Sequence, residues 1–82
     1  LFMPNILRVG PYRFYFYSHE PNEPPHVHID RDDLSAEFWL NPIGQARNFG
    51  FNEREIRKLK SLVTKHQQEF LEAWYEYFGF GG

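Results

Sequence analysis

The chain contains no cysteine, so disulfide bonds and thiolate metal sites are excluded and the fold must be held by packing alone. No segment approaches the roughly 18 consecutive apolar residues that a membrane-spanning helix needs. The first residues also lack a basic region followed by an apolar run, so the sequence does not predict a secretory signal peptide. We therefore expect a protein of the reducing cytoplasm with no membrane association.

An excess of positive charge is missing as well, because the formal net charge is -2. This balance argues against a strong, non-specific nucleic-acid binder. The sequence also lacks a glycine-rich phosphate loop, a nucleophile elbow and a serine hydrolase spacing. Most Lys and Arg residues lie in the second half and many acids in the first, so two differently charged surfaces are expected.

Aromatic residues are what the sequence has in abundance, at 20% of 82 residues. A chain of this length supports one core, and each buried ring removes about 150–250 Å² from water. We predict a single domain over residues 3–79. Leu1 and Phe2 are interpreted as a remnant ahead of a natural start at Met3, and residues 80–82 as a flexible tail.

The first half of the chain predicts β-strands over residues 6–9, 12–17, 26–31 and 35–40. Side chains alternate between apolar and polar in the last two segments, which is typical of half-buried antiparallel strands. Gly10-Pro11 and Asp32-Asp33 are turn dipeptides. Asn41-Pro42 is expected to end the sheet, with residues 43–50 as a connector.

The second half predicts one long helix over residues 53–78. Asn52 and Glu55 form a capping box, apolar residues recur every three or four positions, and Gly79 is a typical C-terminal cap. The expected fold is therefore α+β: a four-stranded antiparallel β-meander with one long C-terminal helix packed on one face.

One helix covers only one face of a sheet, and we expect that face to hold Phe14, Phe16, Val27, Ile29, Phe38 and Leu40. The opposite face is then aromatic, histidine-bearing and uncovered by the rest of the chain. It carries Arg13, Tyr15, Tyr17, His26, His28, Glu37 and Trp39.

Three interpretations of this second face stay open. In the first, His26 and His28 act as an acid–base pair for cleavage of RNA without a metal. Imidazole changes charge close to neutral pH, and residues i and i+2 of a strand point the same way. Arg13 would contact the phosphate, and aromatic rings would stack on bases.

In the second interpretation His26, His28 and Asp30 bind a metal, completed by His19 or Glu23 from the preceding loop. The third treats the face as a protein interface, because exposed aromatic patches on small domains commonly mark one. The partner-binding residues are then Tyr15, Tyr17, Glu23, Trp39 and Trp74. We favour an interface over a metal site and predict no resident cofactor.

Several segments resemble one family of small bacterial proteins, the domain of unknown function numbered forty-one sixty. The most specific is the block Glu23-Pro24-Pro25-His26-Val27-His28. Others are residues 3–8 and 12–18, Ala46-Arg47-Asn48, Gly50-Phe51 and the ending at residues 72–78, so the resemblance spans about 3–79.

The resemblance implies a free-standing prokaryotic protein, often encoded beside a second small protein in a toxin–antitoxin-type arrangement. It assigns no catalytic role to any residue. We therefore expect one component of a two-gene module that binds a small cognate protein, with RNA as a further target if it is a ribonuclease-type toxin. The alternatives are a non-enzymatic or homodimeric binding module and a His-based metal-binding protein.

Overall fold

The computed structural model describes residues 5–17 and 22–79, which form five antiparallel strands followed by two helices. The strands are β1 (Asn5–Val9), β2 (Tyr12–Tyr15), β3 (His26–Arg31), β4 (Leu34–Leu40) and β5 (Ile43–Phe49). The helices are α1 (Glu53–Lys65) and α2 (Gln67–Phe78). The predicted remnant at residues 1–2, the predicted tail at 80–82 and His19 lie outside the described residues.

The sheet is a meander in which each strand pairs with the next along the chain. Two-residue turns join β1 to β2, β3 to β4 and β4 to β5. Gly10 and Asp32 take the left-handed conformation in the first two turns, with φ of 55° and 54°. Glycine adopts this conformation without steric cost, and aspartate tolerates it. The predicted α+β class is therefore confirmed.

The prediction of four strands is wrong, because residues 43–49 of the predicted connector form β5. Asn41-Pro42 is a turn that continues the meander, since Leu40 pairs with Ile43 across it. The register shifts opposite Glu37 and Phe38, which leaves Ala46 as an extra residue on β5. An extra residue reverses the alternation of side chains within a strand. This explains why β5 lacks a regular pattern in the sequence.

The prediction of one long helix also needs correction, although its limits are those predicted. The helical conformation is interrupted at His66, where φ is -106° and ψ is 15°. Hydrogen bonds still run from His66 N–H to the Leu62 carbonyl and from Phe70 N–H to the His66 carbonyl. Just before the break the Thr64 hydroxyl donates to the Lys60 carbonyl, a bond that commonly bends helices.

The core lies between the sheet and the two helices, as expected. All six residues assigned to this face are buried, and they pack with Leu59, Val63, Phe70 and Trp74 from the helices. Phe14 and Phe70 rings are 5.3 Å apart, and Phe16 meets Trp74 at 5.1 Å. Among the described residues, neither helix has the length and apolar character needed to cross a bilayer.

A polar contact fixes the start of α1 on the sheet. Asn52 caps the helix by accepting a hydrogen bond from the Glu55 N–H. The Glu55 carboxylate accepts two hydrogen bonds from Arg31 on β3 and one from the Tyr12 hydroxyl at 2.7 Å. The Arg31 hydrogen bonds, and then that from Tyr12, lower the pKa of Glu55. Glu55 therefore both begins the helix and attaches it to two strands.

Candidate functional site

The candidate site is the histidine cluster, defined as His26, His28 and Glu37. His26 and His28 lie on β3, two residues apart and on the same face of the strand. The two-residue turn after Arg31 pairs β4 with β3 so that Glu37 lies opposite His28 and Trp39 opposite His26. Local turn geometry thus brings a carboxylate to the two imidazoles.

Both histidines are almost completely buried, with exposed fractions of 1% for His26 and 3% for His28. Tyr15 on the neighbouring strand is 3% exposed. The expectation that this face is uncovered is therefore wrong for these three residues. Rings from the neighbouring strands, from Tyr17 after β2 and from Trp74 of α2 pack on the histidines and exclude solvent from this part of the face.

Aromatic rings enclose the histidine cluster. Tyr15 stacks on His28 at 5.2 Å between ring centroids, and Tyr17 meets the same imidazole edge-on at 4.3 Å. His26 lies 5.6 Å from Trp39 and 5.2 Å from Trp74. The two imidazole centroids are 5.2 Å apart. The site is consequently a polar cluster in an aromatic surrounding of low polarity.

Hydrogen bonding orients the first imidazole. His26 Nδ1 lies 2.9 Å from the Pro24 carbonyl oxygen. Because a carbonyl oxygen only accepts, Nδ1 donates and carries the proton, and Nε2 is the ring nitrogen that can accept or ligate. This pattern, with one ring nitrogen fixed by a backbone carbonyl, is typical of histidines that bind metals.

The second imidazole is close to the carboxylate. His28 Nδ1 lies 3.9 Å from Glu37 Oε2, and Arg47 Nε on β5 lies 4.0 Å from the same oxygen. The Glu37 side chain is 16% exposed, whereas that of Arg47 is 69% exposed. One ligand atom from each of His26, His28 and Glu37 lies within 4.8 Å of the others.

The chain matches the model of a known protein family. The family model described as Domain of unknown function (DUF4160) matches residues 12–75, which is more than half of the chain and includes the whole histidine cluster. The chain belongs to the DUF4160 family. No curated protein and no solved structure matches it significantly. The resemblance identified from the Pro-Pro-His-Val-His block is thereby confirmed.

Asp30 was the carboxylate expected to join the histidines in a metal site of the DUF4160 chain. In the structure it binds Arg13 and Tyr15 instead. Its carboxylate accepts hydrogen bonds from Arg13 at 3.0 Å and from the Tyr15 hydroxyl at 2.9 Å. Burial, and then the hydrogen bond to Asp30, raises the pKa of Tyr15 well above its ordinary value. Glu37, not Asp30, supplies the carboxylate of the histidine cluster.

The remaining predicted site residues lie in different environments. Arg13 is held by Asp30 and by the Tyr15 ring, over which its guanidinium lies at 4.3 Å. Trp39 is half-buried, Glu23 is exposed in the loop before β3, and Trp74 is 2% exposed. The catalytic role of Arg13 and the partner-binding roles of Tyr15, Tyr17, Glu23, Trp39 and Trp74 stay predictions.

Glu37 and Arg47 are the site residues of the DUF4160 chain that sequence reasoning did not assign. The signal for Glu37 was available in the two-residue turn at Asp32-Asp33. Such a turn pairs Arg31 with Leu34, and residues equally far from the turn on the two strands then lie opposite each other. His28 and Glu37 satisfy this relation. Arg47 had no such signal, because the register shift in β5 places it opposite Glu37.

Proposed function

We propose that this chain is a metal-binding protein in which His26, His28 and Glu37 hold one divalent transition-metal ion. The observation that carries the proposal is the approach of two imidazole nitrogens and one carboxylate oxygen to within 4.8 Å of one another. Buried charged or polar side chains are uncommon unless they are paired or ligate a metal. A bound ion would join the three side chains through these ligand atoms.

The chemistry of the donors indicates which metals fit. Zinc binds imidazole nitrogen and carboxylate oxygen at about 2.0–2.2 Å, and two histidines with one carboxylate also suit iron(II). Three protein ligands leave at least one coordination position for water or a substrate, which is the arrangement of catalytic metal sites. The absence of cysteine argues against a closed zinc site of the thiolate type.

The distances require a small contraction on binding. Bonds of about 2.0–2.1 Å in a tetrahedral site separate neighbouring donor atoms by roughly 3.4 Å. The cluster limit of 4.8 Å therefore implies that the donors approach by about 1.4 Å or less. Side-chain rotation of Glu37, which is the most exposed of the three, supplies a simple route.

Metal titration of the purified, metal-free protein tests the proposal. We expect one equivalent of Zn²⁺ by calorimetry, and one equivalent of Co²⁺ that develops a visible absorption band. His28→Ala and the conservative Glu37→Gln should each weaken binding by about tenfold or more, as loss of a ligand or its support does. His66→Ala is the matched control, because His66 lies on the helices beside Glu69.

Circular dichroism of each variant checks that it is folded before titration. A folded wild-type protein that takes up no Zn²⁺ or Co²⁺ would overturn the proposal. So would stoichiometric binding that His28→Ala and Glu37→Gln leave unchanged, since the ion would then lie elsewhere.

A second candidate is the ribonuclease-type toxin, with His26 and His28 as acid and base, acting in the cytoplasm beside a small cognate protein. The favouring observation is the proximity of the two rings and of Glu37, which would orient one of them. Expression of the wild type should then slow bacterial growth, and His28→Ala should not. Equal, unimpaired growth in both strains contradicts it. Cleavage of RNA that persists in a chelator would favour this candidate over metal chemistry.

A further inference from the structure

The two helices carry adjacent surface grooves of opposite character. The basic groove lies on α1 and is lined by Arg57, Lys60, Ser61, Thr64 and Lys65. The acidic groove lies on α2 and is lined by Gln68, Leu71, Glu72, Tyr75 and Glu76. Within the residues that the structure describes, the cations of the basic groove make no ion pair.

Both grooves lie along one side of the helical path, where most of their residues are exposed, and Leu71 and Tyr75 are partly buried against the edge of the core. Steps of four and three residues connect positions 57, 61, 64, 68, 71 and 75, and such steps keep side chains on one side of a helix. Backbone hydrogen bonds continue on both sides of His66. The buried residues Leu59, Val63, Phe70 and Trp74 lie on another side. One continuous surface is therefore basic at its start and acidic at its end.

The two grooves are also arranged symmetrically about His66. Suppose that a second copy lies antiparallel across this surface with a two-fold axis at position 66. Each residue before His66 in one copy then faces the residue that lies equally far after His66 in the other copy. Lys60 then meets Glu72, Ser61 meets Leu71 and Thr64 meets Gln68. Arg57 meets Tyr75 beside Glu76. In this arrangement neither Lys60 nor Arg57 faces another cation.

We infer that two copies of this chain associate through α1 and α2, antiparallel about a two-fold axis, with the basic groove of each on the acidic groove of the other. A two-fold interface uses the same surface of both copies, so each contact between different residues occurs two times. Both Lys60–Glu72 pairs would form at once. Leu71 supplies the apolar contact near the axis, and the charged residues around it fix the antiparallel direction.

The interface is polar, so the association should weaken as salt is added, because exposed charge pairs are screened. Sedimentation velocity over a concentration series at low ionic strength should show a monomer–dimer equilibrium. Lys60→Glu places two acids together at each of two symmetric positions, and we expect the dissociation constant to rise about tenfold. Glu72→Lys should raise the dissociation constant by a similar factor, because it places two cations together at the same positions.

The decisive sample is the double variant, Lys60→Glu with Glu72→Lys. It exchanges the two charges and should restore the dissociation constant to within a few-fold of the wild type. Arg8→Glu is the matched control, because it makes the same charge change on an exposed position of β1. It should leave association unchanged.

A wild-type chain that stays monomeric throughout the series would overturn the inference. A dimer unaffected by either single reversal would do so too, since another surface would then form it. Failure of the double variant to restore association, with all variants folded by circular dichroism, would likewise reject the proposed pairing. If RNA instead bound the wild type and Lys60→Glu abolished that binding without altering the mass, the basic groove would serve a polyanion.

Discussion

At the scale of single residues, the sequence predicted the two histidines of the candidate site but not their carboxylate. Strand alternation alone places His26, His28 and Asp30 on one face, which made Asp30 the obvious third ligand. In the structure Asp30 accepts hydrogen bonds from Arg13 and Tyr15, and Glu37 on the next strand lies opposite His28. Pairing between strands, not spacing within one, decides which donors meet. The Asp32-Asp33 turn contained that information.

The hydroxyl of Tyr15 gives a test at this scale that separates packing from hydrogen bonding. Tyr15→Phe keeps the ring that stacks on His28 but removes the donor to Asp30. Because Asp30 retains Arg13, we expect the free energy of unfolding to fall by only about 1 kcal/mol. Urea denaturation measures this change, and metal affinity should stay within a few-fold of the wild type.

Two outcomes would contradict that account of Tyr15. A loss of several kcal/mol, on the scale of about 3–5 kcal/mol for removing a large core side chain, would mean that the hydroxyl supports far more than Asp30. An unchanged stability would mean that water replaces the bond without loss. Either result would also change how firmly the His28 ring is held.

At the scale of elements, the structure contains all four predicted strands and a helical region with the predicted ends. The missed fifth strand and the missed helix interruption have local physical causes. Residues 43–50 read as a connector because the extra residue in β5 breaks the period of two on which strand prediction depends. The helix read as continuous because its apolar positions stay in phase across His66. Sequence periodicity records which side faces the core, not whether each residue keeps helical dihedral angles.

At the scale of the whole molecule, the fold has two separate polar centres on opposite faces of the sheet. The histidine cluster lies on the other face of β3, where His26 also contacts Trp74 of α2. The Arg31–Glu55–Tyr12 contact lies on the helix side, where it joins α1 to β2 and β3. Changes at Glu55 should therefore alter global stability while leaving the histidine cluster in place. That separation allows function and stability to be measured independently.

The Glu55 contact predicts how stability changes in acid. Arg31 and Tyr12 face Glu55 from the sheet and Lys58 from its own helix, and Asp32 lies beside Arg31. Since the pKa of Glu55 is lowered from 4.5 on folding, the unfolded chain binds its proton at a higher pH than the folded one. The contribution of Glu55 is complete above that ordinary value. It is lost as the pH falls through the folded pKa.

Glu55→Gln removes this titration and isolates it from that of other carboxyl groups. We expect the wild type to be more stable than Glu55→Gln near neutral pH, and the gap to close steadily as the pH falls below about 4.5. Urea denaturation of both proteins along a pH series measures the gap. Asp33→Asn, a change at an exposed acid of the β3–β4 turn without an ion pair in the described chain, should show none. A gap that stays constant down to the acid limit would mean that packing of the Glu55 side chain, not its charge, attaches α1 to the sheet.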